Sequence, residues 1–278
     1  MKKILITGSN SQLAVAIRKV FYQKYKLILK DRESMDVTNS NLVKECLINE
    51  KPDIIIYCSA LTNVDLCEQE IELSNEINGY AINNFSKNFD GIFIYISTDY
   101  VFDGKDGPYN EDSSTNPINA YGESKLLGEK IVKENFSNHL IIRTNVVFDI
   151  GYSASFLDWV IKSLIVNKNI KVVNDQINNP IWTHDLANSI DYLINKKFNG
   201  LIHVGSDLLC SRYQFAQMIA KKWNLNKDFI NPISTIELEK DLSSYIAKRP
   251  MKSGLISKYN FLPKISLDNS LKKLKNSL

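Results

Sequence analysis

Several things are scarce in this chain. No apolar run in its 278 residues approaches the roughly 20 that a membrane-spanning helix needs, and Ile54-Ile55-Ile56-Tyr57 has only the length of a strand. Arginine is rare: Arg18, Arg32, Arg143, Arg212 and Arg249 are the only five, and they are dispersed. A protein that reads nucleic acid gathers positive charge on one face and uses arginine for bidentate contacts, so no nucleic-acid partner is expected at a net charge of +3. Cysteine is limited to Cys46, Cys58, Cys67 and Cys210, with no CxxC pair, and histidine to His139, His184 and His203. Neither set has metal-ligand spacing, so the sequence implies reduced thiols and no metal. The N-terminus runs straight into Ile4-Leu5-Ile6 with no signal-peptide pattern, and the expected location is the cytoplasm.

What is present is ordinary globular usage, 44% hydrophobic and 23% charged, which excludes a disordered or fibrous chain. The length suits one large or two modest domains and buries roughly 75% of the unfolded surface without staples. Short β-rich runs alternate with helical periodicity. Strands are expected at Ile4–Thr7, Leu27–Leu29, Ile54–Tyr57, Ile92–Ile96 and Leu140–Arg143. Between them lie a helix with Leu13, Ile17 and Val20 on one face, then Leu42–Ile48, a helical stretch from about Glu68 to Phe85, and Tyr121–Val132. This βαβαβαβαβ order predicts an α/β fold with a Rossmann-type, doubly wound parallel sheet. After about residue 150, Pro180, Pro232, Pro250 and Pro263 break the rhythm. The expected division is a dinucleotide-binding domain at 1–149, rejoined by about 183–206 with a last strand at Leu201–Val204. A smaller C-terminal α/β substrate domain takes 150–182 and 207–278. Ligands of such sheets bind outside the strand C-termini.

Strand 1 ends in Thr7-Gly8-Ser9-Asn10-Ser11-Gln12-Leu13-Ala14. This resembles the T-G-x-x-G-x-x-G loop of short-chain dehydrogenase/reductases, with Ser11 and Ala14 in place of the second and third glycines. Such a loop turns backbone N–H groups and a helix N-terminus toward a pyrophosphate. The residues alone fit equally a plain strand-to-helix turn with Asn10 or Ser11 as N-cap. Asp31, 23 residues after Gly8, stands where an acid bonds the ribose 2′-hydroxyl of NAD, but its neighbours Lys30 and Arg32 could take the 2′-phosphate of NADP. All three also suit a solvated turn.

Tyr121 and Lys125 lie four apart on one helix face. A cation beside a phenol, with the helix N-terminus acting in the same direction, is expected to lower the tyrosine pKa toward neutrality and make it a usable proton donor or acceptor. The spacing alone is cheap. It recurs at Tyr22/Lys26, across a helix end, where it reads as structural. The preceding stretch, Ser97-Thr98-Asp99-Tyr100-Val101-Phe102-Asp103-Gly104, adds weight: hydroxyls follow a buried strand at its C-terminal edge, where Thr98 could bind a substrate carbonyl. Taken alone it is an ordinary polar turn.

At these residues the chain resembles the extended short-chain dehydrogenase/reductases, and within them the dTDP-4-dehydrorhamnose reductase family. The similarity runs through Met35-Asp36-Val37-Thr38, Ser59-Ala60-Leu61-Thr62-Asn63-Val64-Asp65, the Ser97–Gly104 stretch, and Asn116-Pro117-Ile118-Asn119-Ala120-Tyr121-Gly122-Glu123-Ser124-Lys125. It continues in Ile142-Arg143-Thr144, Val173-Asn174-Asp175-Gln176, Asp185-Leu186-Ala187 and Ala247-Lys248-Arg249-Pro250. The resemblance implies NAD(P)H-dependent reduction of the 4-keto group of a nucleotide-linked deoxysugar, for deoxysugar and surface polysaccharide synthesis. It implies Thr98, Tyr121 and Lys125 as catalytic residues. NADP or NAD, with NADPH slightly favoured, would be held by Gly8, Ser11, Gln12, Leu13, Asp31, Arg32, Asp36, Val37, Ser59, Ala60 and Thr62 together with Tyr121 and Lys125. Thr98, Asp99, Tyr100, Asn145, Val146 and Arg249 would meet the nucleotide-sugar substrate. A homodimer is compatible with the family.

The chain departs from the family at Ser11, at Cys58 and Ser59 where small alanines are frequent, and at Val146 where many members carry a tryptophan against the sugar. Related dehydratases resemble Thr-Asp-Glu where this chain has Thr98-Asp99-Tyr100, so water elimination is not expected. The alternative reading is a non-catalytic dinucleotide-binding regulatory subunit resembling the β subunit of methionine adenosyltransferase.

Overall fold

The computed structural model describes residues 1–153, 155–241 and 247–278. The chain begins with β1 (Lys3–Thr7), α1 (Gln12–Phe21), β2 (Lys26–Lys30), α2 (Ser40–Glu50) and β3 (Ile54–Tyr57). Short helices α3 (Val64–Gln69), α4 (Ile71–Asn78) and α5 (Asn83–Ser86) lead to β4 (Ile92–Thr98), α6 (Ala120–Asn135) and β5 (His139–Thr144). There follow β6 (Val147–Phe148), α7 (Phe156–Ile165), β7 (Ile170–Val173), β8 (Ile177–Asn178), β9 (Ile181–Trp182), α8 (Thr183–Asn195) and β10 (Gly200–His203). The chain closes with β11 (Cys210–Ser211), α9 (Arg212–Trp223), β12 (Ile230–Ile233), α10 (Thr235–Asp241) and α11 (Leu267–Asn276).

Six strands make one parallel sheet in the order β10-β5-β4-β3-β1-β2. Strand order reverses about β1, which opens a crevice at the carboxyl ends of β1 and β3. Alternate residues serve opposite faces. Ile4, Ile6, Ile54, Ile56, Leu140, Ile142 and Ile202 pack with Leu13 and Ile17 of α1 and Leu186, Ile190 and Leu193 of α8. Leu5, Ile55, Tyr57, Phe93, Tyr95 and Ile141 pack on the other face with Val43 and Leu47 of α2 and Ile131 and Val132 of α6. Burial on both faces explains why these strands read as continuous apolar runs. A third core joins Leu157 and Val160 of α7, Ile170 and Val172 of β7, Phe215 and Ile219 of α9, and Leu271 of α11.

Two expectations need correction. The helical stretch predicted from Glu68 to Phe85 is broken into α3, α4, a 3-10 turn at Tyr80–Ile82, and α5. Glu70 leaves helical geometry at φ −123°, ψ 58°, and Gly79 interrupts the chain where a Cβ would meet Leu127 of α6 at 2.8 Å. Packing against α6 overrides local periodicity. Ser97 and Thr98, expected after strand 4, lie within β4, with Thr98 paired to Thr144.

Helix α6 is fixed to the sheet from beneath. Gly128 lets it approach so closely that a Cβ there would collide with the Tyr95 hydroxyl and the Asn78 carbonyl. One helical turn from Lys125, the fully buried Glu129 accepts from Arg143 Nε at 2.8 Å and Nη2 at 2.7 Å, and from Ser97 Oγ at 2.6 Å. Arg143 comes from β5 and Ser97 from β4, so one carboxylate ties three elements together. Removing one partner of a buried pair strands the other, so Glu129→Ala should cost about 3–5 kcal/mol of folding free energy. Denaturant unfolding checks this; a loss below about 1 kcal/mol would show that α6 does not depend on the pair.

Candidate active site

The crevice contains two cavities that share Ser11, Cys58 and Ala60 as walls. The first, of about 390 Å³, is lined by Gly8, Asn10, Asp31, Arg32, Asp36, Val37 and Ser59 among others. Gly8 holds φ +58°, and a Cβ there would come within 2.9 Å of the Cys58 and Ser59 backbone, so glycine is required. Ser11 is the N-cap of α1: its Oγ accepts from the Ala14 amide at 3.4 Å. That use of a lone pair leaves the hydroxyl hydrogen free to meet a phosphate oxygen. The amides of Gln12 and Leu13 face out of the helix N-terminus, where the dipole favours an anion. Ser11 is thus both a cap and a compatible pyrophosphate neighbour.

Asp31 is already engaged. It accepts from Asn10 Nδ2 at 3.0 Å, the Ser34 amide at 2.9 Å and Ser34 Oγ at 2.6 Å, and these bonds hold its carboxyl below the usual range. Asp36 accepts from the Thr38 amide and hydroxyl, at 3.0 and 2.8 Å, and its pKa is likewise lowered. Arg32, which lines the same cavity, is therefore better placed for a 2′-phosphate than Asp31 is for a 2′-hydroxyl.

The second cavity, about 480 Å³, gathers Ser11, Gln12, Leu13, Ala60 and Thr62 with Thr98, Asp99, Tyr100, Tyr121, Lys125, Asn145 and Val146. Tyr121 stands in the first turn of α6, whose N-cap Asn119 accepts from the Gly122 amide at 2.8 Å. The expected lowering of the Tyr121 pKa does not occur. Desolvation pushes the phenol well above its ordinary value, and the facing Thr98 hydroxyl, which acts in the opposite direction, is outweighed. Lys125 is 2% exposed and lies 4.0 Å from the Tyr95 ring centroid. Burial lowers its pKa to about 7, against the pull of Glu129. Instead of a charged lysine acidifying a tyrosine, the apolar surroundings hold the tyrosine protonated and the lysine close to neutrality.

Thr98 Oγ1 donates to Asp99 Oδ1 at 3.1 Å and accepts from the Tyr100 amide at 3.2 Å. Asp99 also accepts from Ser253, and burial raises its pKa to about 6. Asn145 donates to Asn179 at 2.9 Å while its own Oδ1, buried, has no partner; the buried Gln12 Oε1 is in the same state. Val146 holds φ +41°, a strained conformation for a β-branched residue that costs roughly 1–3 kcal/mol. Arg249 does not line the cavity: it is clamped by Asp65, with both contacts at 2.8 Å, and stands behind Tyr100. Lining residues that the sequence reading did not assign to the site include Thr144, Val147, Tyr152, Ser153 and Arg212. Only Arg212 carried a legible signal, the capping pattern Ser211-x-x-Gln214 that places it in a helix first turn. The same Tyr/Lys spacing occurs at Tyr192/Lys196, where both side chains turn to Phe261.

Lys125 binds its proton more weakly in the folded chain than in the unfolded chain. Between pH 7 and 10.5 the unfolded chain therefore holds more protons, and the contribution of this position to stability rises with pH. The penalty is fully present below pH 7. Lys125→Met should accordingly raise Tm at pH 6 by at least ~2 °C, with the gain shrinking toward pH 10. Thermal melts at the two pH values test this; a variant no more stable at pH 6 would show that burial of the ammonium is not costly.

With that geometry in place, comparison with known proteins is informative. The RmlD substrate binding domain family matches residues 1–266. The spore coat polysaccharide biosynthesis protein SpsK of Bacillus subtilis is 34% identical over 230 residues, 81% of each chain. The crystal structure of dTDP-4-dehydrorhamnose reductase from Bacillus anthracis in complex with NADP superposes with a TM-score of 0.93 at 31% identity, covering 100% of both chains. The methionine adenosyltransferase 2 subunit beta of Bos taurus is 29% identical, over 84% of this chain and 75% of its own. This chain belongs to the dTDP-4-dehydrorhamnose reductase (RmlD) family of the extended short-chain dehydrogenase/reductases.

Proposed function

We propose that the protein reduces the 4-keto group of a nucleotide-linked deoxysugar with NADPH, in the synthesis of a surface polysaccharide. The observation that carries the reading is the meeting of Thr98, Tyr121 and Lys125 on one cavity wall beside the open N-terminus of α1. Residues 1–149 with about 183–206 would hold the dinucleotide, and 150–182 with 207–278 the sugar nucleotide. The loop fits the cofactor: Gly8 permits close approach, the Gln12 and Leu13 amides are open, and Ser11 keeps a donor. Bound NADPH supplies the hydride.

Tyr121 gives its phenolic proton to the carbonyl oxygen, and its raised pKa keeps that proton in place until the oxygen gains charge. Lys125 would hold the ribose hydroxyls and, in its protonated form, stabilise the phenolate left behind. The Thr98 hydroxyl turns from Asp99 to the same oxygen and orients it. The alternative, a non-catalytic dinucleotide-binding subunit, needs no buried lysine one turn from a tyrosine and would gain stability by losing it. A cytoplasmic location and a homodimer belong to the same proposal; among the described residues no helix is long and apolar enough to cross a membrane.

Tyr121→Phe should bind NADPH as tightly as the parent and turn over at least ~10²-fold more slowly, measured by NADPH oxidation with a panel of 4-keto sugar nucleotides. Undiminished turnover would remove Tyr121 from the chemistry. Arg32→Ala should weaken NADPH about 10-fold and leave NADH unchanged in a tryptophan-fluorescence titration. Equal losses for both cofactors would assign Arg32 a structural role.

A further inference from the structure

We infer that Arg212 anchors the diphosphate of the sugar nucleotide; this rests on the reading above and assigns that site its nucleotide end. Arg212 is the first residue of α9, and the amide end of that helix is closed by a reciprocal cap between Ser211 and Gln214, at 3.1 and 2.8 Å. A cation there faces the positive end of the helix dipole, and the first turn holds no acidic residue to offset it. Lys221 and Lys222 occupy the favourable end. Local structure therefore gives no reason for this arginine.

Its surroundings supply one. The guanidinium lines the cavity and rests 5.2 Å from the Phe156 ring centroid, which fixes its direction. Two other arginines, Arg143 and Arg249, each take a carboxylate with two nitrogens. Among the described residues no carboxylate forms an ion pair with Arg212. The nearby Asp99 accepts from Thr98 on one oxygen and from Ser253 on the other. Tyr100 neighbours both Arg212 and the reacting centre: its ring lies 5.6 Å from that of Tyr121, and its phenol meets the Arg212 guanidinium. Arg212 and the proton donor thus share Tyr100 as a neighbour. A pyranose with its 4-keto oxygen at Tyr121 carries its anomeric carbon, and the diphosphate on it, across the ring from that oxygen, and Arg212 is the one cation other than Lys125 among the described residues of the cavity wall. The planar fork of arginine matches paired phosphate oxygens. A carboxylate on the sugar would offer similar oxygens, and the test separates the two.

Calorimetric titration of the whole protein with dTDP, UDP, GDP and CDP, beside their nucleosides, tests the inference. At least one nucleoside diphosphate should bind at least ~10-fold more tightly than its nucleoside, a difference of about 1.4 kcal/mol. Arg212→Gln should abolish that difference, leave NADPH affinity unchanged, and raise the KM of the sugar nucleotide at constant kcat. Arg212→Lys should recover part of it. Equal diphosphate affinity in parent and Arg212→Gln overturns the inference, as does a loss confined to a UDP-hexuronic acid, which would assign Arg212 to a sugar carboxylate. Turnover of a 4-keto sugar nucleotide with KM unchanged in Arg212→Gln overturns only this inference. A parent that binds no nucleoside diphosphate and reduces no sugar nucleotide overturns the reductase reading with it.

Discussion

The bidentate pair between Glu129 and Arg143, closed by Ser97, is the interaction on which the site depends. Three elements, β4, α6 and β5, are held at one carboxylate with bonds of 2.6–2.8 Å. Lys125 lies one turn above it on α6, Thr98 one residue beyond Ser97 on β4, and Thr144 one residue beyond Arg143 on β5. The spacing between hydroxyl, phenol and ammonium is thus inherited from a rigid joint under the sheet edge. Paired, the buried charges specify one arrangement of α6; unpaired, either would destabilise the fold.

Above that joint the protein holds several groups away from their preferred states. Lys125 is stripped of water and carries its proton weakly, Tyr121 holds its proton strongly, and Asp99 sits near pH 6. Val146 occupies a backbone region that β-branched side chains avoid. Such costs gather at one place because two extensive cores elsewhere, one on each face of the sheet, outweigh them. In a binding module these departures would be a burden without return, whereas in a reductase they set the protonation states that carbonyl reduction needs.

The departures from the family pattern look different in three dimensions. Ser11 fills a glycine position yet folds its oxygen back to cap α1, so the backbone still approaches the pyrophosphate site. Val146 and, from another element, Arg212 line the same cavity.

The sequence by itself determined the sheet, because strands buried on both faces must be continuous apolar runs and parallel neighbours must be joined by crossovers. It also made Tyr121 and Lys125 candidates for proton transfer, since their spacing puts them on one helix face just after the hydroxyl-bearing turn at Thr98. Tertiary structure decided everything that depends on desolvation or on contacts between distant segments. It reversed the expected pKa of Tyr121, since desolvation outweighs the hydrogen bond from Thr98. It drew Arg249 into a clamp with the distant Asp65, away from the cavity wall. It broke the predicted helix over 68–85 against α6, and it brought Arg212 into the cavity from more than a hundred residues beyond Tyr100. Periodicity is a local property of a chain, whereas the dielectric around a side chain and the partners that saturate it exist only once distant segments have packed.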